Sequence, residues 1–371
     1  MIITDFLKQK AKGVPWAIIL IVYIILAFGL VNLYSATVTD GSLYRFYNQI
    51  KWIIAGSCLL VFFGWVISLK AIEQLAFPAY FLVCVLLVLV ALFGSHAKGA
   101  ERWLIIGPLK VQPSEFVKII IILALAKSFT LLKEYKDFSL FSLWRQIIII
   151  SIPFILVLIQ PDLGTAGLIL LISSMQMFIV KINWKSIIIC VLIGLTVALL
   201  SWNFFLYDYQ KQRVLNFLNP MLDPRGTGYH SIQSMIAVGS GGLFGLGFKQ
   251  GLQSKLQFLP ERHTDFIFSV LAEEHGFLGC MLLFVLFLVL ISRIMSISSD
   301  TKDTFSCLAS MGIAAFLLLH FLINVAMVLG LLPVVGVPLS LVSYGGSHML
   351  STLSCIGIII AIERKRHNSN Y

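Results

Sequence analysis

Residues 258–279 read FLPERHTDFIFSVLAEEHGFLG, and this stretch sets both the fold class and the candidate site. Pro260 ends whatever precedes it, because its ring fixes φ and removes a backbone donor. Thr264 is placed to cap a following helix, with Asp265 in the first turn, where the helix dipole favours an anion. A long apolar run follows, yet Glu273, Glu274 and His275 lie two turns into it. Ionisable groups at that depth are costly in lipid, so they are expected to face protein or a water-filled cavity. Two readings compete. One is a capping Asp with a structural polar cluster; the other is an active site at the outer mouth of a membrane bundle.

Composition decides the setting. The chain has 371 residues, 59% hydrophobic and only 12% charged, with a mean hydropathy of +0.95. A soluble domain cannot cover itself with so few charges, so the chain is expected to be an all-α polytopic membrane protein. The net charge of +10 is not read as nucleic-acid binding, because membrane proteins collect Lys and Arg in their cytoplasmic loops. The six cysteines fall in hydrophobic segments without CxxC spacing, so neither a metal site nor a disulfide framework is expected. The run after Lys8, Lys10 and Lys12 is too long for a signal-peptide core and reads as a retained first span.

A span needs about 20 apolar residues. Ten candidates occur, near 16–35, 50–69, 75–94, 114–132, 146–159, 163–180, 185–202, 266–292, 305–329 and 343–362. They make one transmembrane domain over 1–371, with a large extracytoplasmic loop, 203–263, between the seventh and eighth spans. An even count puts both termini on one side. With that side cytoplasmic, the inner segments gather Lys8, Lys10, Lys12, Lys127, Arg364, Lys365 and Arg366 among others, and the short outer loops hold fewer cations. Within the large loop, 229–238 has the apolar spacing of a surface helix. Gly239, Gly241, Gly242, Gly245 and Gly247 then permit tight backbone or a close approach to a ligand.

Three helices are expected to start at the outer face near an acid: Gln112-Pro113-Ser114-Glu115, Gln160-Pro161-Asp162 and Thr264-Asp265. Structural roles are the simpler reading for Glu115 and Asp162, and Lys118 is spaced to pair with Glu115. Even so, three carboxylates and the cations Arg102, Lys118, Arg213 and Arg262 become available at one surface. That is the composition of a site that handles a phosphorylated substrate and needs a base. Glu273 joins the candidates from the eighth span. His320 and Asn324 share a face of the ninth, where interhelical hydrogen bonding is the default. The last outer segment is broken by Pro333, Gly336, Pro338, Gly345 and Gly346, and such backbone at membrane depth must line a covered cavity.

The long motifs RWLIIGPLKVQPSEFVK (102–118), QPDLGTAG (160–167), GTGYHSIQSMIAVGSGGLFGLG (226–247), FLPERHTDFIFSVLAEEHGFLG and GLLPVVGVPLSLVSYGGS (330–347) resemble the SEDS family (shape, elongation, division and sporulation), in the wording of its elongation members. The likeness covers essentially the whole chain. Ser340, where Pro is common, and His348, where a small residue is common, depart from the family pattern. The resemblance implies a peptidoglycan glycosyltransferase of the inner membrane that faces outward. Such an enzyme polymerises lipid II into a glycan strand during elongation and releases undecaprenyl diphosphate. It works with a class B penicillin-binding protein and other elongation-complex membrane proteins. The family's essential acid falls on Asp265.

The chemistry of the residues suits that role. Inverting transfer to a sugar hydroxyl wants a carboxylate base on the side opposite the leaving group. A departing diphosphate wants positive charge, from Arg and Lys or from a divalent cation. Arg102, Lys118, Arg213 and Arg262 are the candidates, and a site serving lipid-linked substrates should open sideways to the bilayer. A lipid II flippase would use similar groups, but transporter sites lie near the midplane on inverted repeats, and no repeat is visible here. An intramembrane serine protease would need Ser347 with His348 or His320, and adjacent residues do not give nucleophile–base geometry. A non-catalytic scaffold leaves the gathered acids and cations unexplained.

Overall fold

The computed structural model describes residues 13–38, 43–93, 95–97, 100–106, 109–132, 142–178, 180, 183–204, 208–219, 227–255, 258–259 and 261–369. In chain order, α1 is Trp16–Val38 and α2 is Tyr44–Val61, which ends in a π-helical turn at Phe62–Val66; α3 is Leu69–Phe93. Then come α4 (Pro113–Thr130), α5 (Trp144–Ile159), α6 (Leu163–Phe178) and α7 (Trp184–Phe204). The large loop carries α8 (Asp208–Leu218), α9 (Thr227–Ser240) and the short α10 (Leu252–Lys255). The chain closes with α11 (Ile267–Asp300), α12 (Thr304–Val328) and α13 (Gly346–Ser369). Each of the ten expected spans coincides with a helix, and six of the described helices are long and apolar enough to cross a membrane.

Two elements depart from expectation. The outer connection after α3 folds into a small antiparallel sheet, β1 (Ser95–Ala97), β2 (Ala100–Ile106) and β3 (Leu109–Val111), in the order β1-β2-β3. Strands this short carry too little alternation to be seen beside the long apolar runs. The helix α8 also went unforeseen, being short and polar.

Packing follows from where the apolar faces lie. Helix α4 is buried on both sides. Ile119, Ile122 and Ala126 belong to the large core shared with α1, α2 and α11–α13, while Val117, Ile121 and Leu125 face α3, α5 and α6. A helix apolar all round belongs inside the bundle. Helix α13 is also central, and some of its polar residues are bonded within the helix: Ser351 and Thr352 donate their hydroxyls to the carbonyl of His348. Gln176 ties α6 to the carbonyls of Ile122 and Leu308, the interhelical bonding expected of a buried amide.

The first and last described segments lie together. A β-carbon on Gly13 would meet His367, and the end of α13 pairs with the α11–α12 connection through Arg366–Asp300 (2.7 Å) and Lys365–Asp303 (3.3 Å). The expected site residues collect at the opposite end, around the turn before α11 and the irregular strap 329–345 between α12 and α13.

Helix α11 is not the single span that the sequence suggested. It is broken at Gly276, whose φ of 64° and ψ of −163° are non-helical. That region of backbone space is essentially open to glycine alone. The half-helix 267–275 is followed by a long second segment ending at Asp300. The glycine-rich loop 241–247 docks across the break. Leu246 and Gly247 donate to the carbonyls of Glu273 and Glu274 (2.9 and 3.1 Å), and Phe277 and Leu278 donate back to Gly242 and Leu243 (2.8 and 3.1 Å). These glycines therefore serve close backbone contact with α11, one of the two uses open to them from sequence.

Candidate active site

Asp265 lies in a turn, residues 261–266, that precedes α11 rather than in its first turn as expected. The helix begins at Ile267; its N-cap is Phe266, with no side-chain cap bond, and the Thr264 hydroxyl turns back to Glu261 instead. Neither Thr264 nor Asp265 therefore occupies the N-cap position of α11. The turn is held by its carbonyls. His263 O accepts from Tyr344 N (2.9 Å), Thr264 O from Ser343 Oγ (2.7 Å), Asp265 O from Asn324 Nδ2 (2.9 Å) and Ile267 O from Asn32 Nδ2 (3.0 Å). Three elements thus fix one short segment: the strap, α12 and α1. Rigid support of this kind is what a catalytic side chain needs to stay in register.

Asn324 links the turn to the strap, because its Nδ2 also donates to Val337 O (2.8 Å). Beside Val337, Gly336 has φ of +72°, and a β-carbon there would sit 3.5 Å from Asp265 Oδ2. The half-buried carboxylate therefore faces a stretch of bare backbone.

Behind the turn lies a buried polar network. Glu115 and Lys118 form the expected pair on α4, with Nζ 2.9 Å from both carboxylate oxygens. Lys118 Nζ is also 3.1 Å from His320 Nε2, and His320 Nδ1 is 3.0 Å from Pro338 O. His348 Nδ1 lies 2.7 Å from Glu115 Oε2, and its Nε2 lies 3.3 Å from Ser340 Oγ. Lys118 and His320 are fully buried. The two histidines were not picked out as partners of this pair, since each reads alone as a polar residue in an apolar helix.

The other candidates are dispersed around this centre. Arg262 is buried, with Nε donating to Ala36 O (2.9 Å). Asp162 caps α6, accepting from Thr165 N (3.2 Å) and Oγ1 (2.9 Å). Glu273 sits two turns along the chain from Asp265 and accepts Gln253 N at Oε1 (2.9 Å), so it holds the start of α10. Its neighbour Glu274 accepts the Ser35 hydroxyl of α1. The backbone of Arg102 is in β2, and its side chain lies outside the described set. Ser347 receives Gln112 N (3.0 Å), and His348 turns its ring to Ser340 and Glu115, which removes the proposed Ser347–His348 protease pair.

A cleft of about 190 Å³ opens between α6 and the strap, with Gly167 and Leu171 on one wall and Val335 and Val337 on the other. A smaller recess of about 60 Å³ adjoins it at Gly164 and Val335 and brings in Gln210 and Arg213 from α8. The first is apolar and the second carries a guanidinium. Among the described residues no three His, Cys, Asp or Glu are grouped so as to hold a metal ion.

A family model described as Cell cycle protein matches residues 15–368. Over 290 residues the chain is 43% identical to the peptidoglycan glycosyltransferase MrdB of Escherichia coli (strain K12), covering 78% of each chain. It is 34% identical to the probable peptidoglycan glycosyltransferase FtsW of Coxiella burnetii, covering 97% of this chain and all of that one. Its backbone matches a chain of a peptidoglycan synthase complex that coordinates polymerization and crosslinking, with a TM-score of 0.82 and 31% identity over 96% of this chain and 99% of that one. It also matches the rod shape determining protein RodA of Thermus thermophilus, with a TM-score of 0.72 and 28% identity over 96% and 98%.

Proposed function

The chain belongs to the FtsW, RodA and SpoVE family of cell cycle proteins, and from that premise we propose that Asp265 is the base of its glycosyl transfer. The chain is a multi-pass membrane peptidoglycan glycosyltransferase. The observation that carries the assignment of the base is the turn itself: an acid outside any helix, its backbone fixed from three elements and its carboxylate facing bare backbone at Gly336.

In this reading the acceptor is lipid II, presenting its sugar 4-hydroxyl to Asp265. The carboxylate takes that proton as the oxygen attacks the anomeric carbon of the donor strand. The bond to undecaprenyl diphosphate breaks on the opposite face. Arg213 supplies positive charge from its recess as the diphosphate leaves, with Arg102, in β2, kept as a further candidate. A divalent cation, if bound there, would help neutralise the diphosphate as it leaves. The apolar cleft beside Gly167 suits the sideways opening that an isoprenyl chain requires, and the strap that walls it at Val335 and Val337 passes Asp265 at Gly336. The buried state of Lys118 and Arg262 gives them a supporting role: Lys118 secures Glu115 and His320, and Arg262 secures α1.

The likeness to a complex that couples polymerization with crosslinking supports a class B penicillin-binding protein as partner. The adjacent first and last described segments and the cations Arg364, Lys365 and Arg366 support a cytoplasmic placement of both termini in the inner membrane, with Asp265 facing outward.

The test is polymerisation of purified lipid II by purified parent and Asp265→Asn protein. Asn keeps the size and loses the basicity, so strand synthesis is expected to fall by about 10²–10⁴-fold with insertion and partner binding intact. Synthesis close to the parental rate would sink the assignment and favour a flippase or scaffold.

A further inference from the structure

The donor and acceptor arrangement behind Asp265 closes on itself. The carbonyl of Pro338 can only accept, so His320 Nδ1 carries a proton; Lys118 can only donate, so His320 Nε2 is bare. The Lys118 ammonium then uses all three hydrogens: two on Glu115 and one on His320. His348 Nδ1 donates to Glu115 Oε2, which leaves Nε2 to accept from Ser340 Oγ. Two directed chains result, from Ser340 through His348 to Glu115 and from Lys118 through His320 to Pro338, and the Lys118–Glu115 pair joins them. Both imidazoles are neutral in them, and the one buried cation is balanced by the one buried carboxylate. A fully satisfied buried network of this kind rigidifies whatever it touches.

The outer ends of both attach to the same segment. Pro338 and Ser340 belong to the strap, one and three residues beyond Val337, which Asn324 ties to the backbone of Asp265. We propose that His348 and Ser340 form a positioning pair that anchors the strap to the Glu115–Lys118 ion pair and so holds the catalytic turn in register. The two side chains are in contact, with Ser340 Oγ 3.3 Å from His348 Nε2. The pair acts as one unit: the ring at 348 brings an acceptor, and the hydroxyl at 340 supplies its donor.

The order Ser340–His348–Glu115 has the connectivity of a nucleophile, base and acid triad. It orients rather than reacts. Ser340 is fully buried, so no substrate carbonyl can reach its hydroxyl, and Lys118 already occupies both oxygens of the acid.

The inference rests on Asp265 being the base, and a double-mutant cycle on lipid II polymerisation tests it. His348→Asn keeps a donor where Nδ1 stood, for Glu115, and loses the acceptor for Ser340. Ser340→Ala loses the same link from the other side, and Ser340→Thr keeps the hydroxyl. Each loss variant should lower kcat by roughly three- to tenfold, the worth of one hydrogen bond, with KM unchanged. The double variant should be no slower than either single one, Ser340→Thr should keep the parental rate, and the melting temperatures should stay within a degree or two of each other. Effects that multiply in the double variant, or parental rates in both singles, would overturn the positioning role. Asp265→Asn run alongside keeps the two ideas apart. If it is inactive while the cycle multiplies, only the network reading falls; if it is active, the base reading falls and this one with it.

Discussion

Replacing Gly276 by Ala is the sharpest probe of how α11 is built. The backbone there adopts φ of 64° and ψ of −163°, which costs a non-glycine residue about 1–3 kcal/mol. The added β-carbon would also lie 2.3 Å from Gly245 N and 2.7 Å from both Leu243 O and Phe244 C. Those are backbone atoms, so the loop must move away rather than adjust a side chain. Moving it breaks the four bonds between 242–247 and 273–278, each worth about 0.5–1.5 kcal/mol. The whole effect is therefore about 3–9 kcal/mol. Gly242→Ala is the control: its φ is +52° and nothing lies within 4 Å, so only the left-handed cost of about 1–2 kcal/mol applies. Reversible unfolding of the purified proteins by SDS in mixed micelles, followed by far-ultraviolet dichroism, gives both numbers. If Gly276→Ala came within about 1 kcal/mol of Gly242→Ala, the break and its docked loop would not be the stabilising feature described.

Two further outcomes follow from the geometry. Gly167 lines the apolar cleft, and a β-carbon added there would meet no atom within 4 Å, so Gly167→Leu should fill the cleft without straining the bundle. Polymerisation should then show a KM for lipid II raised severalfold at unchanged thermal stability, read from initial rates against substrate concentration. At the other end, Asp303 caps α12. Partial burial pushes its pKa up, but the Ser306 hydroxyl and amide and the Lys365 ammonium outweigh this and hold it below the ordinary carboxylate value. A depressed folded-state pKa means the contribution is present above the unfolded value of about 3.9 and is lost as pH falls through the folded one. Unfolding curves from pH 6 down to about pH 2.5 should show the parent losing an acid-sensitive component below about pH 4 that Asp303→Asn lacks.

The ten helices were legible because each span is a long apolar run, and the lipid setting leaves such runs little choice of structure. Asp265 could be singled out from the sequence as a candidate, though not its local geometry. Thr264-Asp265 looks like a cap from spacing alone, and only the fold shows that the carbonyls around it are taken up by Asn324, Ser343 and Asn32. The break at Gly276 was hidden for a related reason. A single glycine in an apolar run is compatible with an unbroken membrane helix, and its partners are some thirty residues earlier in the chain. The network of His320, His348 and Ser340 was the least legible part. Its members come from α12, α13 and the strap, and no periodicity relates a residue on one helix to the register of another. Glu115 and Lys118 share one helix, and their pairing could be read directly from their spacing.

The broken α11 also bears on the bilayer itself. Residues 277–300 rise about 36 Å at about 1.5 Å each, more than the hydrocarbon thickness of about 30 Å, so this segment is expected to tilt. In an unbroken helix that tilt would swing the preceding turn and carry Asp265 with it. Here the docked loop splints the joint, and the half-helix 267–275 is buried among its neighbours and tied to α1 at Ile267. Because the loop bonds to both sides of Gly276, the two segments of α11 keep one relative orientation, and the turn that carries Asp265 is held by the loop and α1 rather than by the lipid-facing segment alone.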